Sequence, residues 1–355
     1  MKQLFYLVLL LTIYVSAYAQ DSLATLPAMD DSYQVVAWLR QKHIPALAVG
    51  VILDGQLQQI KIYGERRTGT PASYDAVFNV ASLTKTITTM VTLNLVNGGQ
   101  WKLDEPIADF WIDPDIRDDP RSKKITSRNI LNHQSGFPNW RSELKGSKLA
   151  FQFDPGTKYQ YSGEGFEYLR RALEARFHRS LEQLADSIIF KPLGMKDTRM
   201  TWTSQLESRF AYPHDRKGQL LEPTKNTEPN AADLLKTTVS DYGKFLVWVL
   251  SGGGLSTDLF AAMSGHHVLL KENVYMGLGW AIYDHLGNDE YALSHSGRDP
   301  GVNTIAFILP KSKRGLIIFT NSDNGALVYA DLMRVYLKEQ GEKIVSLETK
   351  NKPAK

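Results

Sequence analysis

Cysteine is absent from all 355 residues. Its absence excludes a disulfide scaffold, a thiolate nucleophile, a cysteine-ligated zinc site and a lipidated N-terminal cysteine. An excess of one charge sign is also lacking: 41 Lys and Arg face 38 Asp and Glu, leaving +3 dispersed along the chain. That balance gives no argument for nucleic acid as a partner. The longest basic cluster, Arg121-Ser122-Lys123-Lys124, follows an acidic stretch at 113–119 and reads as a solvated loop. Common catalytic signatures are missing too. The chain has no G-x-S-x-G elbow, no H-E-x-x-H, no Walker loop and no G-x-G-x-x-G. His266-His267 is the only histidine pair, and adjacent side chains on a helix or strand point apart. No metal or cofactor is expected.

The composition that remains, 43% hydrophobic and 22% charged, is that of a globular protein with ample core. The N-terminus stands apart. Lys2 precedes an almost wholly apolar run at 4–15, and Ala17-Tyr18-Ala19 supplies a small-x-small cleavage pattern before Gln20. This is a secretory signal peptide over 1–19, cut after Ala19, so a periplasmic or secreted location is expected. The apolar run is shorter than the roughly 20 residues of a membrane span, which argues against a lasting anchor.

The mature chain reads as strand, helices, strand. An apolar, β-branched run at 47–53, then Asp54-Gly55, then the alternating stretch 57–63 predicts a hairpin. A second hairpin is predicted from 304–309, a turn at 310–315 and 316–319, followed by a helix at 327–336. Between them the period changes to about 3.6. Leu83, Ile87, Met90, Val91 and Leu95 form one helical stripe stopped by Gly98-Gly99, and Phe166, Leu169, Leu173 and Phe177 form another. Ser240 reads as the N-cap of a third helix, and 201–230 as surface loops. The expected fold is α/β (α+β). One antiparallel sheet is built from both chain ends, 20–85 and 265–345, with a mostly helical domain inserted at 86–264 and a flexible tail at 346–355.

Chemistry is suggested by Ser82-Leu83-Thr84-Lys85. On a helix, positions i and i+3 share a face, so Lys85 can reach Ser82. A serine needs a neighbour to take its proton, and a desolvated lysine with a lowered pKa can serve. The helix N-terminus would also favour developing negative charge. The spacing alone is cheap, because Ser142-Glu143-Leu144-Lys145 repeats it in a polar stretch with no apolar helix behind it. On this motif alone, an ordinary N-cap is the favoured reading of Ser82.

Two further segments bear on the choice: Tyr159-Gln160-Tyr161-Ser162-Gly163, and Ser294-His295-Ser296-Gly297-Arg298. With Ser82-x-x-Lys85 they resemble, in order and spacing, the three motifs of the serine β-lactamase and penicillin-binding-protein superfamily. The branch of class C β-lactamases, esterases and D-amino-acid peptidases is the most similar. The segments at 125–136, 189–198, 277–280 and 316–321 look like that branch as well, so the likeness spans about 33–340.

The resemblance implies a β-lactamase/transpeptidase-like fold and a serine hydrolase without a cofactor, acting on a small-molecule or peptide substrate. Ser82 would form an acyl-enzyme that water hydrolyses. Lys85 and Tyr161 would share the acid and base work, and the backbone N–H groups of Ser82 and Arg298 would hold the oxyanion. His295, Ser296, Gly297 and Arg298 would line the substrate site. Two departures bear on the substrate. Gly163 stands where β-lactamases carry an asparagine that meets the substrate's acylamide, which leaves a wider cleft without that anchor. His295 stands where they often carry lysine, so a substrate carboxylate would be held less strongly, with Arg298 as a compensating cation. Both changes weaken the case for β-lactam hydrolysis relative to ester or D-peptide hydrolysis. The alternative is a penicillin or cell-wall sensor that is acylated without turnover. His133, Ser135, Tyr159 and Trp280 are read as structural. The oligomeric state is not legible.

Overall fold

The computed structural model describes residues 26–350. The signal-peptide reading, and positions 351–355 of the expected tail, lie outside the described residues.

Among the described residues, nine antiparallel strands form the main sheet. They are β1 Ala46–Leu53, β2 Gln56–Arg67, β3 Thr70–Pro71, β6 Val268–Lys271, β7 Val274–Met276, β8 Ala281–Tyr283, β9 Ala292–Asp299, β10 Val302–Leu309 and β11 Arg314–Thr320. Their spatial order is β3-β2-β1-β11-β10-β9-β8-β7-β6. A two-stranded ladder joins β4 Phe78–Asn79 to β5 Lys236–Thr237. The sheet is thus closed by pairing β1 with β11, Leu47 opposite Thr320, as expected of a sheet drawn from both ends.

The first hairpin turns at Asp54 (φ 51°) and Gly55 (φ 72°). Two successive positive φ values are what a right-twisted two-residue hairpin loop needs, and Asp-Gly meets that need at little steric cost. Strands β1 and β10 are buried on both faces, which explains their near-continuous apolar sequences. On one face Leu47, Val49, Phe307 and Ile318 pack against α1 Ser32–Gln41, α8 Tyr329–Leu337 and α9 Glu339–Thr349. On the other, Ala48, Ile52, Ala306 and Phe319 join α2 Thr84–Asn97 and α6 Val239–Leu250 in a core that continues into the helical insert. That insert also holds α3 Ser127–Leu131, α4 Gly163–Phe177, α5 Leu181–Ala185 and α7 Thr257–Met263.

Several expectations change. The boundary between 85 and 86 falls inside α2, and α6 lies so close to β1 that a Cβ on Gly50 would meet Val239 at 2.6 Å. Helices α2 and α6, placed within or across the edge of the expected insert, therefore pack in the sheet layer. Helix α2 is buried around most of its circumference, not along one stripe, including Thr84, Thr86, Thr88, Thr89 and Thr92. Burial of that many hydroxyls is tolerable because most bond to carbonyls, such as Thr86 to Leu83 at 2.7 Å and Thr92 to Thr88 at 2.8 Å. Thr238, not Ser240, caps α6, accepting from the Asp241 N–H at 3.1 Å. Within the predicted surface loops, Leu206, Phe210 and Tyr212 are buried in a small cluster with Val77. The tail expected from 346 is helical to Thr349. Glu348 is buried there, accepting from the Tyr283 hydroxyl at 2.8 Å and pairing with Lys271 at 2.7 Å. Two sheet residues thus hold down what composition alone suggested was loose.

Candidate active site

The chain enters α2 through a tight turn. Asn79 ends β4, and its Oδ1 accepts from the Ala81 N–H at 2.9 Å. Ala81 then takes φ 48°, a left-handed conformation that costs a non-glycine residue roughly 1–2 kcal/mol. A short 3-10 turn, Ala81–Leu83, follows and carries Ser82. No side chain caps this turn or α2, so Ser82 is not an N-cap. Its Oγ accepts instead from Lys85 Nζ at 3.0 Å. Ser142, in the other copy of the spacing, is exposed.

Lys85 is 1% exposed. Its ammonium also donates to the Ala232 carbonyl at 2.8 Å and lies 4.7 Å from the centre of the Tyr161 ring. Burial lowers its pKa to about 8, against the opposing pull of Asp233, Asp299 and Glu167. The Tyr161 side chain interacts with that of Ser82, which favours the ionised phenol. Lys85 therefore meets Ser82 at the serine oxygen and Tyr161 at its ring, although Tyr161 lies 79 positions beyond Ser82 in the chain.

Electrostatics separates the two helpers. Burial raises the Tyr161 phenol well above its usual value, and the neighbouring Ser82 side chain only partly offsets this. Lys85 is close by, yet the phenolate form of Tyr161 is disfavoured. The group that can shed its proton near neutrality is Lys85.

Strand β9 passes directly beside the serine. A Cβ on Gly297 would meet the Val80 carbonyl oxygen at 2.3 Å, Thr304 Oγ1 at 2.5 Å and the Ser82 nitrogen at 3.0 Å. Only glycine fits. Thr304 Oγ1 donates to the Val80 carbonyl at 2.8 Å, tying β10 to the same turn. Ser296 is partly exposed, and Arg298 is exposed, next on the strand after Gly297. His295 departs from expectation. It is buried, with Nδ1 2.7 Å from the Ser296 carbonyl and Nε2 without a partner. Burial, helped by the nearby Lys85, lowers its pKa to about 3. It is a neutral ring throughout the neutral range and offers no charge to a carboxylate.

The supporting residues hold Tyr161. Its ring lies 4.4 Å from that of buried His133, whose Nδ1 accepts from the Ser162 N–H at 3.1 Å. Ser135 Oγ accepts from the Phe137 N–H at 3.3 Å. Tyr159 is half-buried beside His133, and Trp280 is buried in the core and stacked on Phe245. His266 stacks on Tyr275 while His267 turns to the Ala262 carbonyl, so the pair does point apart.

Two features were not foreseen. The first is the segment around 230–236, which supplies the Ala232 carbonyl to Lys85. Leu235 is tied to the turn through its N–H to Thr84 Oγ1 at 2.9 Å, and its carbonyl accepts from Val80 at 2.9 Å. Asp233 beside it faces Asp299, which accepts from Asn79 Nδ2 at 2.8 Å. Burial, then the neighbouring Asp299 carboxylate, raise the Asp233 carboxyl well above the usual carboxylate range. Asn79, Asp233, Lys236 and Asp299 line a pocket of about 230 Å³ next to the serine turn. The second is Trp140. The gap expected at Gly163 is filled, because a Cβ there would stand 2.8 Å from the Trp140 indole. The cleft is not wider at that point.

Comparison with known proteins bears on the family and the fold. A family model described as Beta-lactamase matches residues 21–338. The chain is 25% identical to penicillin-binding protein 4 of Amycolatopsis lactamdurans, over 84% of this chain and 86% of that protein. It is 28% identical to esterase EstB of Burkholderia gladioli, over 50% and 52% of the two chains. The octameric penicillin-binding protein homologue from Pyrococcus abyssi shares the fold, with a TM-score of 0.74 at 20% identity, covering 88% of this chain and 78% of that one.

Proposed function

The chain belongs to the β-lactamase family, and from that membership we propose that it is a serine hydrolase transferring the acyl group of an ester or amide to Ser82 and then to water. The observation that carries this is the 3.0 Å contact of Lys85 with Ser82, with the Tyr161 ring 4.7 Å from the same ammonium.

Neutral Lys85 takes the Ser82 proton as Oγ bonds to the substrate carbonyl carbon. The carbonyl oxygen becomes an oxyanion held by the backbone N–H groups of Ser82 and Arg298. Tyr161, kept protonated by its burial, donates to the leaving oxygen or nitrogen as its bond to carbon breaks, and Lys85 returns a proton to Tyr161. Water then attacks the acyl-enzyme, transferring a proton through the same two groups, and releases the acid.

The substrate is an ester or D-amino-acid peptide in preference to a β-lactam. The filled space at Gly163 and the uncharged His295 support that preference, since each removes a polar anchor from the cleft. The relatives named as an esterase and a penicillin-binding protein fit the same range. Cleavage of the N-terminal segment after Ala19 would deliver the enzyme to the periplasm or the medium, and a mature terminus at Gln20 is the test.

A fluorophosphonate probe should label the wild type and Ser142→Ala, and fail to label Ser82→Ala. Turnover of p-nitrophenyl butyrate, a D-Ala-D-Ala peptide and nitrocefin then ranks the substrates. Stoichiometric acylation without turnover across the whole panel would make the protein a sensor instead of a hydrolase.

A further inference from the structure

Building on the acyl-transfer reading above, we infer that Trp140 is a specificity-determining wall of the cleft, selecting substrates with a flat apolar or aromatic group next to the scissile carbonyl. Position 163 follows Tyr161 by two residues. Ser162, between them, turns inward, donating to the Pro138 carbonyl at 2.7 Å and accepting from the Gly165 N–H at 2.9 Å. Ser162 is extended (φ −141°, ψ 110°) and Gly163 opens α4, so the two positions flanking Ser162 project away from it and position 163 lies on the Tyr161 side, roughly 7 Å further along the chain. Trp140 occupies that face. Its ring edge would lie 2.8 Å from a Cβ on Gly163, so the absence of a side chain there is what admits the indole.

The ring is held from both sides. Asn139 Oδ1 accepts from the Gly163 N–H at 2.9 Å, and the Asn139 carbonyl accepts from the Glu164 N–H at 2.8 Å. After the indole, the Arg141 N–H donates to Glu164 Oε2 at 3.0 Å, and its guanidinium joins Glu164 and Asp113 at 2.7 Å each. Glu164 and Asp113 are buried, so this clamp is anchored in the interior. Two segments are therefore stitched together with the indole between them, while the ring keeps part of its surface open. A pre-set aromatic face binds another flat apolar surface at little entropic cost, and offers no partner to an amide laid against its centre.

Two ester series test this. One varies the acyl group (phenylacetyl, acetyl, N-acetylglycyl) over a p-nitrophenyl leaving group. The other varies the alcohol (benzyl, ethyl, methoxyethyl) over an acetyl group. In at least one series the wild type should favour the aromatic member over the polar one by tenfold or more in kcat/KM. Trp140→Ala should reduce that ratio at least fivefold, mainly through KM, and Trp140→Phe should keep it. Flat wild-type preferences in both series, or an unchanged ratio in Trp140→Ala, overturn the inference, and the wild-type ratios decide even if the alanine variant does not fold. Fluorophosphonate labelling of Ser82 is read in parallel. Labelling retained with flat preferences sinks the wall alone, whereas absent labelling sinks the acyl-transfer reading beneath it.

Discussion

Gly297 lies so close to Ser82 that a methyl group on its α-carbon would stand 3.0 Å from the serine's backbone nitrogen. The same methyl would strike the Val80 carbonyl at 2.3 Å, and backbone cannot swing aside as a side chain can. Gly297→Ala should therefore push β9 away from the turn and spoil the pair of N–H groups assigned to the oxyanion. Loss of one such donor costs about 10²–10³ in kcat. Steady-state kinetics, with a urea melt to register the ~1–3 kcal/mol of overpacking, checks this. An alanine variant with wild-type kcat would remove Gly297 and its neighbour Arg298 from the chemistry.

Lys85 predicts the pH profile. With its pKa lowered to about 8 by burial, roughly a tenth of the molecules hold it neutral at pH 7. For ester acylation, kcat/KM should climb nearly tenfold per unit between pH 6 and 7 and level off above about 8. Lys85→Met should lose about 10²–10⁴ of the rate and the limb with it. A flat profile from pH 6 to 9 in the wild type would show that another group takes the proton.

Asp233 should tune that limb. Its charge raises the Lys85 pKa, opposing the desolvation that lowers it. Asp233→Asn keeps the side-chain shape and its capacity to bond Asp299 while removing the charge. The midpoint of the kcat/KM profile should move to lower pH. Movement upward, or none, would mean that Asp233 carries its proton throughout and exerts no field on the lysine.

His295 should make the protein acid-labile. Its folded pKa of about 3 lies below the usual 6.5, so between these values the unfolded chain takes up a proton that the native state refuses. Stability from this group is fully present above pH 6.5 and is lost as pH falls toward 3, by an amount on the order of 4 kcal/mol. His133 acts in the same direction and Asp233 in the opposite one. The contribution of His295 is therefore read as the difference between wild type and His295→Gln in urea midpoints at pH 7 and pH 4.5. The variant should lose less on acidification, and equal losses would contradict the burial argument.

The sequence made the frame and the reacting trio readable for particular reasons. Asp54-Gly55 announces its turn by conformation, and β1 and β11 by apolar runs. Ser82, Lys85 and Tyr161 were found through motif likeness, since the spacing of Ser82 and Lys85 is shared by exposed Ser142 and Lys145. What stayed hidden acts through groups that every residue owns. Ala232 holds Lys85 with a backbone carbonyl, for which no residue type is diagnostic. Trp140 sits in an aperiodic polar stretch and acquires its place only through the pairing of Asn139 and Arg141 with Gly163 and Glu164, far along the chain. The final turn of α9 looked dispensable because Glu348 reads as a surface charge until Tyr283 and Lys271 are seen against it.

Placing β1 against β11 sets the order of assembly against the order of synthesis. On a ribosome adding about 5–20 residues per second, the early strand waits for a partner made some 270 residues later, roughly 15–55 s after it. During that interval a strand with two apolar faces has no neighbour on one edge. A nascent chain halted before residue 314 should therefore be protease-sensitive throughout, helices included, and a holdase that shields early strands should raise the yield of folded protein.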